Sequence, residues 1–253
     1  MKISKPGIHS HVHSAPFYLQ SLFLLIATVF VIQPDIASAK QVATLENVQG
    51  NVRVYKEGKN RGRKGMEGAA LSTNQIVKTE GDDASADIVF GNGDRVRVTP
   101  NSEMSLSQLE IGDSSSKIGI QLAAGKIFNV VNKLSSDSSY AVNTHTAIAG
   151  VKGTVFSAEV DSDQSVFMVL EGKVEASSAS MQGNSVDVAE MHKTIVKKNE
   201  APEEPVEMTP EEIAMFNLLE DISDMIRDSI QESIQDDLRQ QLMEQGGDIL
   251  INP

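Results

Sequence analysis

The sequence predicts a mainly β chain: a compact β-solenoid or β-roll of short strands, followed by a C-terminal amphipathic α-helix. Three observations carry this. Apolar residues between 42 and 198 fall at period two in short runs, the signature of half-buried strands. Each run is closed by turn residues such as Gly91-Asn92-Gly93-Asp94, Pro100-Asn101 and Asp161-Ser162-Asp163. After residue 208 the period changes to three and four.

Residues 1–39 read as a secretory leader. Lys2 and Lys5 are followed by an apolar run from Phe17 to Ile32, and Ala37-Ser38-Ala39 supplies the small-x-small pattern of a signal peptidase site. A run of about 16 residues is shorter than the ~20 that a membrane-crossing helix needs, so cleavage between Ala39 and Lys40 is expected in preference to a retained anchor. The chain has no cysteine, which excludes a lipid-attachment cysteine and disulfides. Export without disulfides fits a Gram-negative periplasm, or secretion, after removal of the leader.

Residues 40–199 form the predicted β domain. Val48, Val52 and Val54 begin the alternation; Ile88 with Phe90 and Val96 with Val98 flank the Gly91–Asp94 hairpin signal. Ile118 to Leu122, Ile127 to Val130, Val155 to Val160 and Val166 to Leu170 continue it. A weak recurrence of apolar, spacer, Gly, polar, apolar centres on Gly50, Gly125 and Gly172. Glycine at equivalent positions suggests corners where a Cβ would clash, and repeated corners suit a rolled or β-helix-like sheet better than a flat sandwich.

The segment Thr144-His145-Thr146-Ala147-Ile148-Ala149-Gly150-Val151-Lys152-Gly153-Thr154-Val155-Phe156 closely resembles the signature of the FecR domain family. Upstream, the stretch from Gly81 to Asp94 resembles that family's turn, strand and hairpin; downstream, Val169-Leu170-Glu171-Gly172-Lys173-Val174 resembles its closing strand. The resemblance covers roughly residues 45–198 and implies a β-solenoid-like periplasmic domain. Within it Gly150, Val151, Gly153, Thr154, Phe156, Gly172 and Val174 read as structural. Gly150 and Gly153 suggest a tight bend tucking Ile148, Val151 and Val155 into the core. A phosphate loop is disfavoured because neither a strand-to-helix junction nor Lys-Ser/Thr follows.

The residues offer little for catalysis or for a cofactor or metal. His9, His11 and His13 lie in the leader, which leaves His145 and His192 without the three or four convergent ligands of a zinc site. Asp161-Ser162-Asp163 lacks the glycine and distal glutamate of a helix-flanked calcium loop. No Gly-x-Ser-x-Gly or Ser-x-x-Lys arrangement occurs, so a non-enzyme is expected and a periplasmic hydrolase with an unrecognised site is the weakest alternative. The basic run from Lys56 to Gly65 reads as a solvated loop or as a dock for an acidic partner, this chain's own tail included.

The formal net charge of -13 is unevenly placed: residues 40–199 carry -1, and residues 200–253, with two basic and fifteen acidic side chains, carry -13. Nucleic acid is therefore an unlikely partner in charge terms. Residues 200–208 form an acidic, proline-containing linker. In the segment 209–253, Thr209-Pro210-Glu211-Glu212 predicts a helix start with a capping box, and Gly246-Gly247 its end. Phe216, Leu219, Ile222, Ile226, Ile230 and Ile234 form an apolar stripe, a candidate partner or self-association face, unless it folds back over the β domain.

FecR-type iron sensors carry a cytoplasmic region and a membrane span ahead of the periplasmic domain; this chain has only sixteen residues before its apolar run. The expected function is an exported, non-enzymatic module that binds or scaffolds an envelope or periplasmic protein, without a stable membrane anchor. A sensor or regulator component of envelope signalling, iron-related or not, working through a separate membrane partner, is the alternative.

Overall fold

The structure, a computed structural model, describes residues 43–181 and 183–217. The leader with the Ala39–Lys40 junction, and the stripe from Leu219 to Ile234, lie outside these residues. The described chain is mainly β, as predicted: fourteen strands and one short helix.

Three strands organise it. β1 (Ala43–Lys56), β3 (Gln75–Phe90) and β6 (Ser116–Val131) are much longer than an ordinary strand; β3 and β6 exchange neighbours halfway along, and β1 follows β3 throughout, with β2 joining its second half. The first leaf runs from the early half of β1 through late β3, β4 (Arg95–Val98), late β6, β9 (Thr154–Val160), β10 (Gln164–Glu171) and β13 (His192–Lys197) to β14 (Val206–Glu207). The second begins at β2 (Arg63–Lys64) and runs through late β1, early β3, β5 (Glu103–Ile111), early β6, β7 (Ser139–Asn143), β8 (Ala147–Val151) and β11 (Lys173–Ser178) to β12 (Ser185–Ala189).

The strands change leaf at glycines. Gly50, Gly125 and Gly172, the three recurring positions, have φ of +62°, +83° and +84°. At Gly125 a Cβ would lie 2.7 Å from the Ser102 Cα and 2.8 Å from the Asn101 carbonyl oxygen, so the corner admits no side chain. Among the described ladders only β6 with β7 is parallel. The coils of a β-solenoid stack in parallel, so this architecture departs from that expectation: one antiparallel sheet is bent over itself, with strands passing from leaf to leaf as in orthogonally packed sheets.

The core lies between the leaves. Leu45, Ile88, Phe90, Val96, Ile127, Phe156 and Phe167 from the first face Val54, Val77, Leu106, Ile120, Tyr140 and Val174 from the second, all buried. Tyr140 donates to Oδ1 of Asn129 across this core (2.9 Å) and meets the Phe156 ring edge-on at 6.4 Å. Burial pushes the Tyr140 hydroxyl well above its usual range, with the Asp94 carboxylate adding to the effect.

Candidate interaction surface

The signature residues come together where β8 passes into β9 and β10 into β11. Val174 pairs with Val151, and Glu175 with Gly150. Gly153 has φ +93°, and a Cβ there would stand 2.8 Å from the Lys133 Cα; a Cβ on Gly172 would stand 2.6 Å from the Gly153 carbonyl oxygen. Thr154 Oγ1 donates to the Lys173 carbonyl (2.9 Å), and Phe156 and Val174 are fully buried. These residues fasten two adjacent corners. Gly150 differs from the expectation: it lies inside β8 without a left-handed φ, and open space surrounds the position of its missing side chain. Ile148 also differs. Strand alternation sends Ala147, Ala149 and Val151 inward, so Ile148 points out and is 41% exposed.

The hydroxyl and imidazole groups of the signature are structural. Thr144 Oγ1 accepts the backbone N–H groups of Thr146 and Ala147, while Ser165 links the Thr144 and Thr146 hydroxyls at 2.7 and 2.6 Å. Among the described residues no imidazole or carboxylate hydrogen-bonds to that buried cluster. His145 and His192 are each engaged by a backbone carbonyl, of Ser162 and Glu190 respectively. Asp161 caps its own turn, accepting from the backbone of Asp163 and Gln164; these bonds hold its carboxyl below the usual range. Among the described residues no group of three or more His, Cys, Asp or Glu is placed to hold a metal ion, and no helix is long and apolar enough to cross a membrane.

A different surface stands out on the outer side of the first leaf. Phe128, Val130, Val155 and Met168 point away from the main core yet are buried, because Met208 and the helix α1 (Pro210–Asn217) cover them. The helix starts as predicted. The Thr209 backbone N–H donates to the Glu212 carboxylate (2.9 Å), and the Glu212 N–H donates to Thr209 Oγ1 (3.3 Å). Glu212 also pairs with Lys193 at 2.5 Å on β13. Burial pushes the Glu212 carboxyl up, but Lys193 and the Thr209 N–H outweigh it and hold it low. The helix then crosses the leaf toward β6, where Met215 lies against Lys126 and Phe216 packs edge-on against Phe128 at 5.1 Å. Phe216, 1% exposed, is therefore engaged by its own chain, a correction to its place in the candidate partner face.

Ladder register sets what lies beyond. Phe128 pairs with Arg97, and Arg97 with Asp87, so the outer row turns from apolar to charged at β4. Asp87 is fully buried, clasped by Arg97 (2.6 and 2.8 Å), Arg95 (3.2 Å) and Asn47 (2.9 Å). Burial alone would push its carboxyl up; the hydrogen bonds from Arg97 and Asn47 and the two arginine charges override that and hold it below the carboxylate range. Between α1 and the strands an open cleft of about 270 Å³ carries two opposed pairs, Lys126 with Glu159 and Lys193 with Glu212, over Val166, Met168 and Ile195.

The covered outer face went unrecognised in the sequence, although a signal was present. Ile127 to Val131 and Val166 to Leu170 are nearly continuous apolar runs, and such runs mark strands buried on both sides. The Asp87–Arg97 clasp had no comparable signal.

A family model described as FecR protein matches residues 75–175, a stretch inside the β body. Two solved structures, both described as "a putative anti-sigma factor" from Parabacteroides distasonis, are similar to it. One aligns with TM-score 0.45 and 15% identity over 56% of this chain and 63% of its own. The other aligns with TM-score 0.42 and 16% identity over 55% and 60%. The alignments thus span less than two thirds of either protein, and likeness at that level carries no functional argument. No curated protein matches the chain.

Proposed function

We propose that this protein is an exported, non-enzymatic FecR-domain module that binds or scaffolds another protein of the bacterial envelope, acting in the periplasm after cleavage between Ala39 and Lys40. One observation carries the proposal. α1 uses Ile213 and Phe216 to cover the apolar patch on its own leaf, and the next strand in its path, β4, presents Arg95 and Arg97 instead of apolar ground. The apolar stripe continues in sequence through Leu219, Ile222, Ile226, Ile230 and Ile234. An amphipathic stripe of this kind suits a partner groove, the common mode of amphipathic helix recognition. The engaged hydroxyls and histidines of the signature support the non-enzymatic reading.

The FecR match favours one refinement: the bound protein belongs to an envelope signalling system, and this chain regulates or senses through it. The test immobilises the chain from Lys40 to Pro253, and a version ending at Asn217, and exposes both to envelope extracts. A specific protein retained by the first and missed by the second is expected. Turnover of a hydrolase substrate abolished by one substitution would overturn the reading, and so would equal retention by both chains.

A further inference from the structure

Among the described residues three buried side-chain polar atoms lack a hydrogen-bond partner, and two of them lie in or beside the floor beneath Met208 and α1. Ser157 Oγ is one. Ladder register sets Ser157 between Phe128 and Met168 on the outer side of the first leaf, and the residue is fully buried. Glu171 Oε2 is the other. Glu171 stands opposite Val155, whose side chain belongs to the same covered floor. Burial pushes the Glu171 carboxyl up, and the Glu190 carboxylate adds to the effect. Nearly all buried polar groups in folded proteins are paired, because an orphaned one has given up water for nothing. The chain's own cover thus fits the apolar part of this floor and misses its polar part.

The cover is also lightly fastened. β14, which leads into it, is two residues long, and α1 is eight. Met208, Ile213, Met215 and Phe216 supply its apolar contacts, and Glu212 its ion pair to Lys193. A helix this short is not stable alone in water, so α1 persists through those contacts and opens at lower cost than the β body behind it. Opening uncovers Phe128, Val130, Val155 and Met168 as one apolar patch with Ser157 among them. Glu171 and Glu190 flank its Val155 end, and the Lys126–Glu159 pair flanks the other.

We propose that this floor is the docking site for an amphipathic helix of another protein, one with a basic side chain for Glu171 and Glu190 and a hydrogen-bonding side chain for Ser157, and that α1 is the lid it displaces. Helix-in-groove binding is what the floor already performs on its own chain. The two carboxylates at the Val155 end select a cationic helix. α1 carries Glu211 and Glu212 and no basic residue, so it cannot meet them. The α1 of a second copy would leave the same atoms orphaned, so the occupant has a different sequence. This site lies on the β body and does not rest on the stripe beyond Asn217.

The probe is a synthetic amphipathic helix of leucine and lysine, about 18 residues long, with a leucine–glutamate helix of equal length as its counterpart. Fluorescence anisotropy at about 150 mM salt measures binding to the chain from Lys40 to Pro253. Phe216→Ala frees the floor, and affinity for the lysine helix is expected to rise about tenfold or more over the parent, since the competent fraction grows. Glu212→Ala removes the pair with Lys193 and the bond from the Thr209 N–H; it should act in the same direction, and it serves if the other variant fails to fold. Adding Glu171→Gln to either should lower the affinity about tenfold. Ser157→Ala in the parent should close the lid more firmly and slow amide exchange at 213–216 about fivefold, because no hydroxyl is then orphaned beneath it. Acidic residues beyond Asn217 are common to every variant, so these differences read the floor itself. Circular dichroism melts confirm that each β body is folded. Lysine-helix affinity that is absent, or equal for the parent, Phe216→Ala and Glu171→Gln chains, would overturn the proposal. So would an opened floor that takes myristate or the leucine–glutamate helix in preference.

Discussion

Gly153 and Gly150 stand three residues apart in one motif, yet the structure separates their roles. Gly153→Ala must place a side chain at φ +93°, where an L-residue costs about 1–2 kcal/mol. Its Cβ would also stand 2.8 Å from the Lys133 Cα, a backbone atom that cannot swing aside, and forced packing of that kind adds about 1–3 kcal/mol. A loss of about 2–5 kcal/mol is expected, or roughly 4–20 °C in melting temperature for a domain of this size. Gly150→Ala meets open space at an ordinary strand φ and should hold stability or raise it by about 0.4–1 kcal/mol. Thermal melts followed by far-ultraviolet circular dichroism on the chain from Lys40 compare the two. Gly172→Ala provides an internal check: its Cβ faces the Gly153 carbonyl, so its cost should not simply add to that of Gly153→Ala. Equal melting temperatures for the Gly153 and Gly150 variants would refute the corner argument.

Asp87→Asn should destabilise by about 3–5 kcal/mol at pH 7, since it leaves Arg97 and Arg95 facing a neutral group in a buried site. Because the folded carboxyl is held below its unfolded value, its contribution is present above about pH 4 and is lost as pH falls through the folded value. The gap between parent and variant, measured by urea unfolding at several pH values, should therefore narrow below about pH 4. Phe216→Ala should cost about 3 kcal/mol of helix docking, read as faster proteolysis within 209–217 with a smaller change in the melt of the β body.

Period-two runs made the strands legible, and the turn residues placed the Gly91–Asp94 hairpin, where the Phe90 N–H donates to the Asp94 carbonyl. The glycine recurrence located three leaf changes because the cause is local: a positive φ and a close backbone approach. The bent two-leaf path was less accessible. β6 reads as two short strands in sequence, and of β3 only the Ile88–Phe90 end is legible; the ladders show that each is one long strand. Thr209 to Glu212 announced the helix start by chemistry confined to four residues. Docking of Phe216 on Phe128 joins positions 88 residues apart, and the buried Asp87 needs arginines delivered by the next strand; neither leaves a local trace.

The claim that the C-terminal stripe serves another protein is tested most directly by photocrosslinking inside the cell. A photoreactive residue at Ile230 or Ile234 of the full chain should yield a covalent product with a different envelope protein, absent when the probe replaces exposed Ile148. Crosslinks from both positions confined to the chain's own β body would contradict it.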